Sequence, residues 1–306
     1  MKEIIYDSII IGGGPAGLTA AVYLGRFNRS VLVLDKNTGR SSYPQINENY
    51  LGFPKGIAAK QLRVIGQKQA KKFGVTFTVD EVMKLRKLSR YFSVSSKKKT
   101  YKGRTLILAT GVVDIFPVFP GVKQYIGKSL FWCITCDGYR TRNKKVVVIG
   151  HTDEAVVTAL QFLQYTKEII FLLNCGHRQA KVSKEMKKRL EEHNIPYIEG
   201  VIKSVVGKNG KLQKIILKDR TILKADYLFN QQGASPNSVL ARELHVLVDT
   251  EGYIFVDPEQ RTNIPFVYAA GDVTKPHSHQ VVTASHEGSQ AAQSANYDLY
   301  EPFQRD

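Results

Sequence analysis

Tyr6-Asp7-Ser8-Ile9-Ile10-Ile11-Gly12-Gly13-Gly14-Pro15-Ala16-Gly17 stands close to the start of the chain. The run from Tyr6 to Ile11 is apolar and β-branched, which reads as a strand buried on both faces. Leu18 to Phe27 then reads as a helix with Ala20, Ala21 and Leu24 on one face, and Ser30 to Leu34 as a second strand closing on Asp35. The glycines therefore form Gly-x-Gly-x-x-Gly between a strand and a helix, with an acid about 20 residues on, the context a dinucleotide-binding turn requires. Gly12 allows the tight turn, Gly14 lets the backbone approach a pyrophosphate, and Gly17 lets the helix pack on the strand. The phosphates are expected at the helix N-terminus, where free amides and the helix dipole favour negative charge. Asp35 is expected to accept from a ribose hydroxyl.

Downstream, Ser41 to Pro54 reads as a loop and Ala58 to Phe73 as an amphipathic helix. Val75 to Val79, Val82 to Leu88, Tyr91 to Ser96 and a short piece at Tyr101 read as strands of a small antiparallel ribbon. Thr105 to Ala109 reads as a further buried strand ending in Ala109-Thr110-Gly111, and the proline-bearing Phe116 to Gly121 as a linker. A second strand–turn–helix unit follows: Lys145 to Ile149, the turn Gly150-His151-Thr152-Asp153-Glu154-Ala155, a helix to Leu163, and a strand from Glu168 to Leu173. This turn is degraded. Thr152 stands where the second glycine belongs, and its Cβ would crowd a pyrophosphate lying on the backbone. The next strand ends in Asn174-Cys175-Gly176, with no arginine at its tip for a 2′-phosphate; Arg178 lies just beyond. Ser183 to His193 reads as a basic helix. Tyr197 to Val206, Leu212 to Leu217 and Thr221 to Leu223 read as a second ribbon, and Tyr227 to Asn230 as a strand. Ala269-Ala270-Gly271-Asp272 puts a carboxylate at a strand end, and His279 to Ser285 runs into an Ala-rich helix.

Two strand–turn–helix units, each with a ribbon, predict an α/β chain of two doubly wound three-layer nucleotide-binding domains, the second inserted in the first. The expected division is 1–115 and 245–306 for the first domain and 116–244 for the inserted one.

Within the inserted segment lies Phe131-Trp132-Cys133-Ile134-Thr135-Cys136-Asp137-Gly138-Tyr139. A Cys-x-x-Cys pair closes a disulfide across one tight turn, and the spacing depresses a thiol pKa so that thiolate is available near neutral pH. Asp137 follows directly, within reach of a proton that moves when the disulfide opens. The alternatives are half of a zinc site or two packing cysteines. With three cysteines in the chain, and Cys175 lacking a partner motif, a four-ligand zinc site is poorly supplied. His277, His279 and His286 cluster near the Gly-Asp motif but are read as facing solvent or a cofactor, and no metal is expected.

At 43% hydrophobic and 23% charged, the composition is that of a globular protein, and no apolar run reaches membrane-spanning length. The short apolar run at Ser8 ends in motif glycines and is not a signal peptide. Few cysteines and no export signal point to a reducing, cytoplasmic setting, where a Cys-x-x-Cys is more often catalytic than structural. The net charge of +17 steers an acidic partner. No nucleic-acid motif with interleaved aromatics accompanies it, and an acidic redox protein is the sharper expectation.

Together, in this order, Gly12 to Gly17, Glu48-Asn49-Tyr50-Leu51-Gly52-Phe53-Pro54, Ala109-Thr110-Gly111, Cys133 to Gly138, Ala269 to Asp272 and Gln280-Val281-Val282-Thr283-Ala284 resemble the low-molecular-weight thioredoxin reductases over nearly the whole chain. The resemblance implies a flavoprotein with an FAD domain, an inserted NADPH-type domain carrying the redox disulfide, a homodimer, and a rotation of the inserted domain. It implies FAD bound through Gly12, Gly14, Ala16, Gly17, Asp35, Asn49, Val82, Thr110, Gly111, Asp272, Gln280 and Val281, with Pro15, Lys36, Ala109 and Gly271 alongside. It implies that Cys136 exchanges electrons with the flavin, Cys133 attacks the disulfide of thioredoxin or a similar protein, and Asp137 is the acid–base group. The NADPH features of ordinary members are missing: Thr152 replaces a glycine, Val157 and Thr158 replace a glutamate pair, and Asn174-Cys175-Gly176 replaces His-Arg-Arg. The chain thus resembles the pyridine-nucleotide-independent branch, whose electrons come from reduced ferredoxin, from a second flavin near the vacated site, or from an unassigned donor. NADPH is not expected to serve. Three rivals remain: an NADPH-dependent thioredoxin reductase with an atypical site, a ferredoxin–NAD(P) reductase of the same architecture (which lacks the cysteine pair and needs a working nucleotide site), and a flavin-based redox sensor. The aromatic tail (Tyr297, Tyr300, Phe303) has two readings, stacking on a flavin or packing on a dimer partner.

Overall fold

The computed structural model describes residues 4–174, 179–274 and 279–304. They form two compact units. One comprises Met1–Tyr43, Ile57–Val113 and Ser235–Asp306; the other comprises Pro44–Gly56 and Asp114–Ala234.

The first unit opens with β1 (Ile5–Ile11), α1 (Pro15–Arg26) and β2 (Val31–Asp35), followed by α2 (Ala59–Lys71) and β3 (Thr76–Val79). A hairpin of β4 (Val82–Lys87) and β5 (Phe92–Ser96) leads into β6 (Thr100–Leu108). The sheet order is β3-β2-β1-β6-β5-β4; the first four strands are parallel and the hairpin is antiparallel. The piece at Tyr101 and the strand from Thr105, expected as separate, are one strand. Gly103 permits it, because a Cβ there would lie 2.7 Å from the Ile9 side chain.

In the second unit, β7 (Leu130–Phe131) enters α3 (Ile134–Asp137). Then come β8 (Val146–Gly150), α4 (Asp153–Gln161), β9 (Ile169–Leu173), α5 (Lys184–Glu192) and β10 (Tyr197–Glu199). A ribbon of β11 (Ile202–Lys208), β12 (Lys211–Leu217) and β13 (Ile222–Lys224) precedes β14 (Tyr227–Gln231). The sheet β7-β14-β8-β9-β10 is parallel throughout. Tyr197 to Val206, expected as one strand, is split at Gly200: its first part pairs with β9 and its second joins the ribbon. Leu217 packs where a Gly200 Cβ would stand, 2.8 Å away.

The chain returns to the first unit through α6 (Val239–Glu243), β15 (Val267–Ala269) and α7 (Val281–Asp298). β15 pairs in parallel with the C-terminal half of β6, completing the first sheet. The stretch from Ser235 belongs to this unit because the Glu243 carboxylate accepts from Leu85 N–H at 2.9 Å. Pro44–Gly56 belongs to the other, where Gly127 backs directly onto the Pro44 carbonyl.

Strand alternation explains both faces of the first sheet. Ile9, Ile11, Leu32, Leu34, Leu106 and Leu108 face the hairpin residues Leu85, Phe92 and Val94. Ile10, Val31, Val33 and Ile107 face an alanine layer from α1 and α7 that includes Ala20, Ala21, Ala291 and Ala292. Small residues let the two helices meet: a Cβ on Gly288 would overlap the Ala16 carbonyl. Among the described residues no helix is long and apolar enough to cross a membrane.

Candidate functional site

In the first unit the four central strands deliver their C-terminal ends to one edge. β1 runs into Gly12, whose φ of +111° and contact with the Ala109 carbonyl leave no room for a Cβ. Gly17 abuts the Gly12 carbonyl, so helix and strand pack as the spacing predicts. Gly14, the N-cap of α1, faces open space: nothing lies within 4 Å of a Cβ built there. Pro15 starts the helix, no acid stands in its first turn, and no side chain caps it. Its amides and dipole are thus left for an outside anion. A Gly13 Cβ would lie 2.5 Å from the Asp35 carboxylate, so β2 brings Asp35 to the turn. β6 ends in Ala109-Thr110-Gly111; Thr110 donates to the Asn237 carbonyl at 2.7 Å, and Gly111 has φ +64°. A Cβ on Gly271 would lie 2.9 Å from that of Ala16, so Asp272 and the α7 N-terminus at Gln280 and Val281 join the same edge. This cradle suits the adenosine and pyrophosphate of a dinucleotide such as FAD.

The remaining expected contacts are placed less centrally. Lys36 is half exposed and pairs with Glu81 at 3.4 Å. Val82 begins β4, and Asn49 is carried on Pro44–Gly56 in the other unit. Two arginines were not foreseen. Arg63 pairs with Asp35, and Arg40 Nη1 donates to Asp272 Oδ2 at 2.8 Å. Buried Glu287 was also missed; it accepts from Gly271 N–H at 2.6 Å, and burial pushes its carboxyl pKa up. These pairs join residues far apart in the chain, 232 positions for Arg40 and Asp272, so no local spacing announces them.

In the second unit β7 delivers Cys133, and α3 turns at once to bring Cys136 back. The two form a disulfide with Cα atoms 5.3 Å apart. Cys136 N–H donates to Cys133 Sγ at 3.1 Å. Asp137 closes α3 with its side chain 14% exposed, and Arg140 Nε donates to its Oδ1 at 3.1 Å. Burial raises the Asp137 pKa from 3.8 to about 7; the Arg140 guanidinium opposes the rise and the Glu48 carboxylate adds to it. A carboxyl with that pKa is about half protonated at neutrality and both gives and takes a proton readily. Arg140 also reaches Glu48 Oε1 at 3.2 Å and lies 5.8 Å from the centre of the Phe131 ring. Its position three residues after Asp137 on a helical turn is a local signal for this contact.

The second turn keeps a glycine at Gly150 and, like the first, has no side-chain N-cap, but it differs in the charge at its helix start and in what lies along it. Asp153 and Glu154 occupy the first turn of α4, putting two carboxylates at the helix's positive end. Asp153 Oδ1 accepts from Ser183 N–H at 2.7 Å, and Lys181 N–H donates to the His151 carbonyl at 2.8 Å. The chain's own segment thus lies along the turn, with Thr152 bridged to Lys181. Across the strand ends, Gln231 donates to the Trp132 carbonyl at 2.9 Å and Gln232 to that of Asn174 at 3.3 Å. Thr158 bonds the Glu154 carbonyl of its own helix. Cys175, Gly176, Arg178 and His277 lie outside the described residues, as does the Phe303 side chain. His279 sits beside Tyr253, ring centres 6.0 Å apart, and His286 is exposed. Among the described residues no group of three or more His, Cys, Asp or Glu is placed to hold a metal ion.

Fold and site together define a two-unit α/β oxidoreductase with a dinucleotide cradle and a redox-type disulfide. Residues 6–288 match the model of the family described as pyridine nucleotide-disulphide oxidoreductase. The thioredoxin reductase of Bacillus subtilis is 30% identical over 311 residues, covering 98% of this chain and 96% of its own. The crystal structure of thioredoxin reductase from Streptococcus pyogenes superposes with a TM-score of 0.89 at 28% identity, covering 96% and 98% of the two chains. The atypical thioredoxin reductase TRi from Desulfovibrio vulgaris Hildenborough is 32% identical, covers 94% and 96%, and has a TM-score of 0.52. The chain belongs to the pyridine nucleotide-disulphide oxidoreductase family and to its low-molecular-weight, thioredoxin reductase-like enzymes, which are FAD-dependent.

Proposed function

We propose that this enzyme uses FAD to reduce the disulfide of thioredoxin or a similar small protein, through Cys133 and Cys136, with electrons from a donor other than NADPH. The observation that carries the reading is the contrast between the two turns. The Gly12–Gly17 turn has an open cradle and no acid in the first turn of its helix. The Gly150–Ala155 turn carries Asp153 and Glu154 at that position and is lined by its own 181–183 segment. The donor is an acidic ferredoxin-type protein, which a net charge of +17 attracts, or a second flavin. A homodimer is supported by the exposed apolar side chains Tyr23 on α1, Phe27 just after it, and Val64 and Ile65 on α2. A reducing, cytosol-like compartment suits the dithiol.

Gly12, Gly14, Pro15, Ala16, Gly17, Asp35, Thr110, Gly111, Asp272, Gln280 and Val281 would hold FAD, which in its two-electron-reduced form would supply the electron pair that opens the disulfide. Cys136 is the sulfur on the flavin side of that exchange. Cys133, its thiolate stabilised by the Cys136 amide, attacks the substrate disulfide and forms a mixed disulfide. Cys136 then attacks Cys133 to release the reduced substrate and restore the pair. Asp137 donates its proton to the leaving sulfur and recovers one as the cycle closes. The test is multiple-turnover reduction of thioredoxin by FAD-loaded enzyme with a reduced viologen as donor. Wild type turns over; Cys136→Ser keeps FAD and loses turnover by at least about a thousandfold. Undiminished turnover in that variant would sink the assignment.

A second reading, an NADPH-dependent thioredoxin reductase with an atypical site, is favoured by the family match and by relatives such as that of B. subtilis. It requires a dinucleotide to displace the Asp153–Ser183 contact.

A further inference from the structure

We propose that Arg140 is a positioning residue of the disulfide centre: held between Asp137 and Glu48, its guanidinium sets the proton affinity of the Asp137 carboxyl, and Glu48 sets how much of that positive charge Asp137 receives. This rests on the reading of Asp137 as the acid of disulfide exchange.

The geometry is that of a shared cation. Arg140 is three-quarters buried, and its Nε faces Asp137 at 3.1 Å while Nη2 faces Glu48 at 3.2 Å. The Phe131 ring lies 5.8 Å from the guanidinium carbon and fixes the side chain from a third direction. A guanidinium stays charged at every pH at which the enzyme works, so it acts as a fixed field. Arg140 follows Asp137 in the same turn, Glu48 comes from Pro44–Gly56, Tyr227 stands at the start of β14, and the Cys133–Cys136 disulfide is uncharged.

The consequence is a pair of opposite effects. Burial alone would make Asp137 hold its proton more tightly, and a proton held more tightly is given up more reluctantly. Arg140 draws the affinity back toward neutrality. Glu48 works the other way, by its own negative charge and by engaging the far side of the guanidinium. Removing Arg140 therefore raises the midpoint of Asp137, and removing the Glu48 charge lowers it.

The experiment is a pH titration of the Asp137 carboxyl by infrared difference spectroscopy on FAD-loaded, oxidised enzyme, with the band assigned by its loss in Asp137→Asn. The alkaline limb of viologen-driven disulfide reduction is recorded in parallel. In Arg140→Met both midpoints are expected to rise by about one pH unit or more, and Arg140→Lys is expected to restore most of the shift. In Glu48→Gln, a surface substitution that leaves the turn intact, both are expected to fall by about half a unit. An unmoved carboxyl midpoint in Arg140→Met overturns the proposal. So does a rise in Glu48→Gln, which serves alone if Arg140→Met fails to fold. The reading of Asp137 as the acid fails on a different observation, full turnover by Asp137→Asn, so the two failures are told apart.

Discussion

Asp137 is the residue where folding and chemistry meet. Its pKa, raised by burial from 3.8 to about 7, means that the folded protein binds a proton which the unfolded chain releases between those values. The folded state holds more protons in that window, so stability falls as pH rises from about 4 to about 7 and is flat above it. The oxidised enzyme should lose up to about 4 kcal/mol across the window on this account, and Asp137→Asn should remove that slope. Denaturant midpoints at acid and alkaline pH measure it. In catalysis the sign is the same: the proton is present below about pH 7, so the viologen-driven rate should decline above it in wild type. Asp137→Asn should lower the plateau by about a hundredfold, read from turnover at acid pH. The cysteine pair is legible in sequence because two positions on one turn fix it, with Asp137 next to it in the chain. Arg140 was equally local and went unread, since its spacing matters only once Asp137 is known to be buried. Arg40 and Arg63 had no such signal, because β-strand order, not sequence, brings them to Asp272 and Asp35.

Among the elements, the two strand–turn–helix units show how little separates a cradle from a closed turn. In the first, Gly17→Ala drives a methyl into the Gly12 carbonyl. We expect it to cost about 1–3 kcal/mol and to lower FAD retention, measured as flavin recovered per chain after desalting. In the second, Thr152→Gly alone is expected to leave NADPH binding undetectable by fluorescence titration. The carboxylates of Asp153 and Glu154 remain at the helix start, and the Lys181 backbone stays bonded to His151. Element types were legible because periodicity is strong in β1, β6, α2 and α5. The breaks were less so: Gly103 allows one long strand where two were expected, while Gly200 divides one. A glycine's effect depends on whether Ile9 or Leu217 presses on it, and that is a tertiary fact. The helix at Val239–Glu243 escaped because five residues give too short a period to read.

For the whole molecule, two nucleotide-type folds and the Cys133–Cys136 disulfide make a thioredoxin reductase-like disulfide oxidoreductase. A charge of +17 predicts that the rate with an acidic protein donor falls at least about tenfold as ionic strength rises from about 20 mM to about 0.3 M. A small neutral donor should show no such dependence, and stopped-flow flavin reduction distinguishes the two. The order of the turns leads to an expected division at 115/116 and 244/245, whereas the compact units divide after Val113 and Ala234 and count Pro44–Gly56 with the second. The assignment of Pro44–Gly56 to the second unit was not legible in sequence, because a loop's packing follows its neighbours rather than its composition. The central claim, that electrons do not arrive from NADPH, is tested most directly by mixing FAD-loaded enzyme anaerobically with excess NADPH and following the flavin band. Our account predicts a band that persists for minutes and then bleaches when reduced viologen is added. Complete bleaching by NADPH within seconds would contradict it.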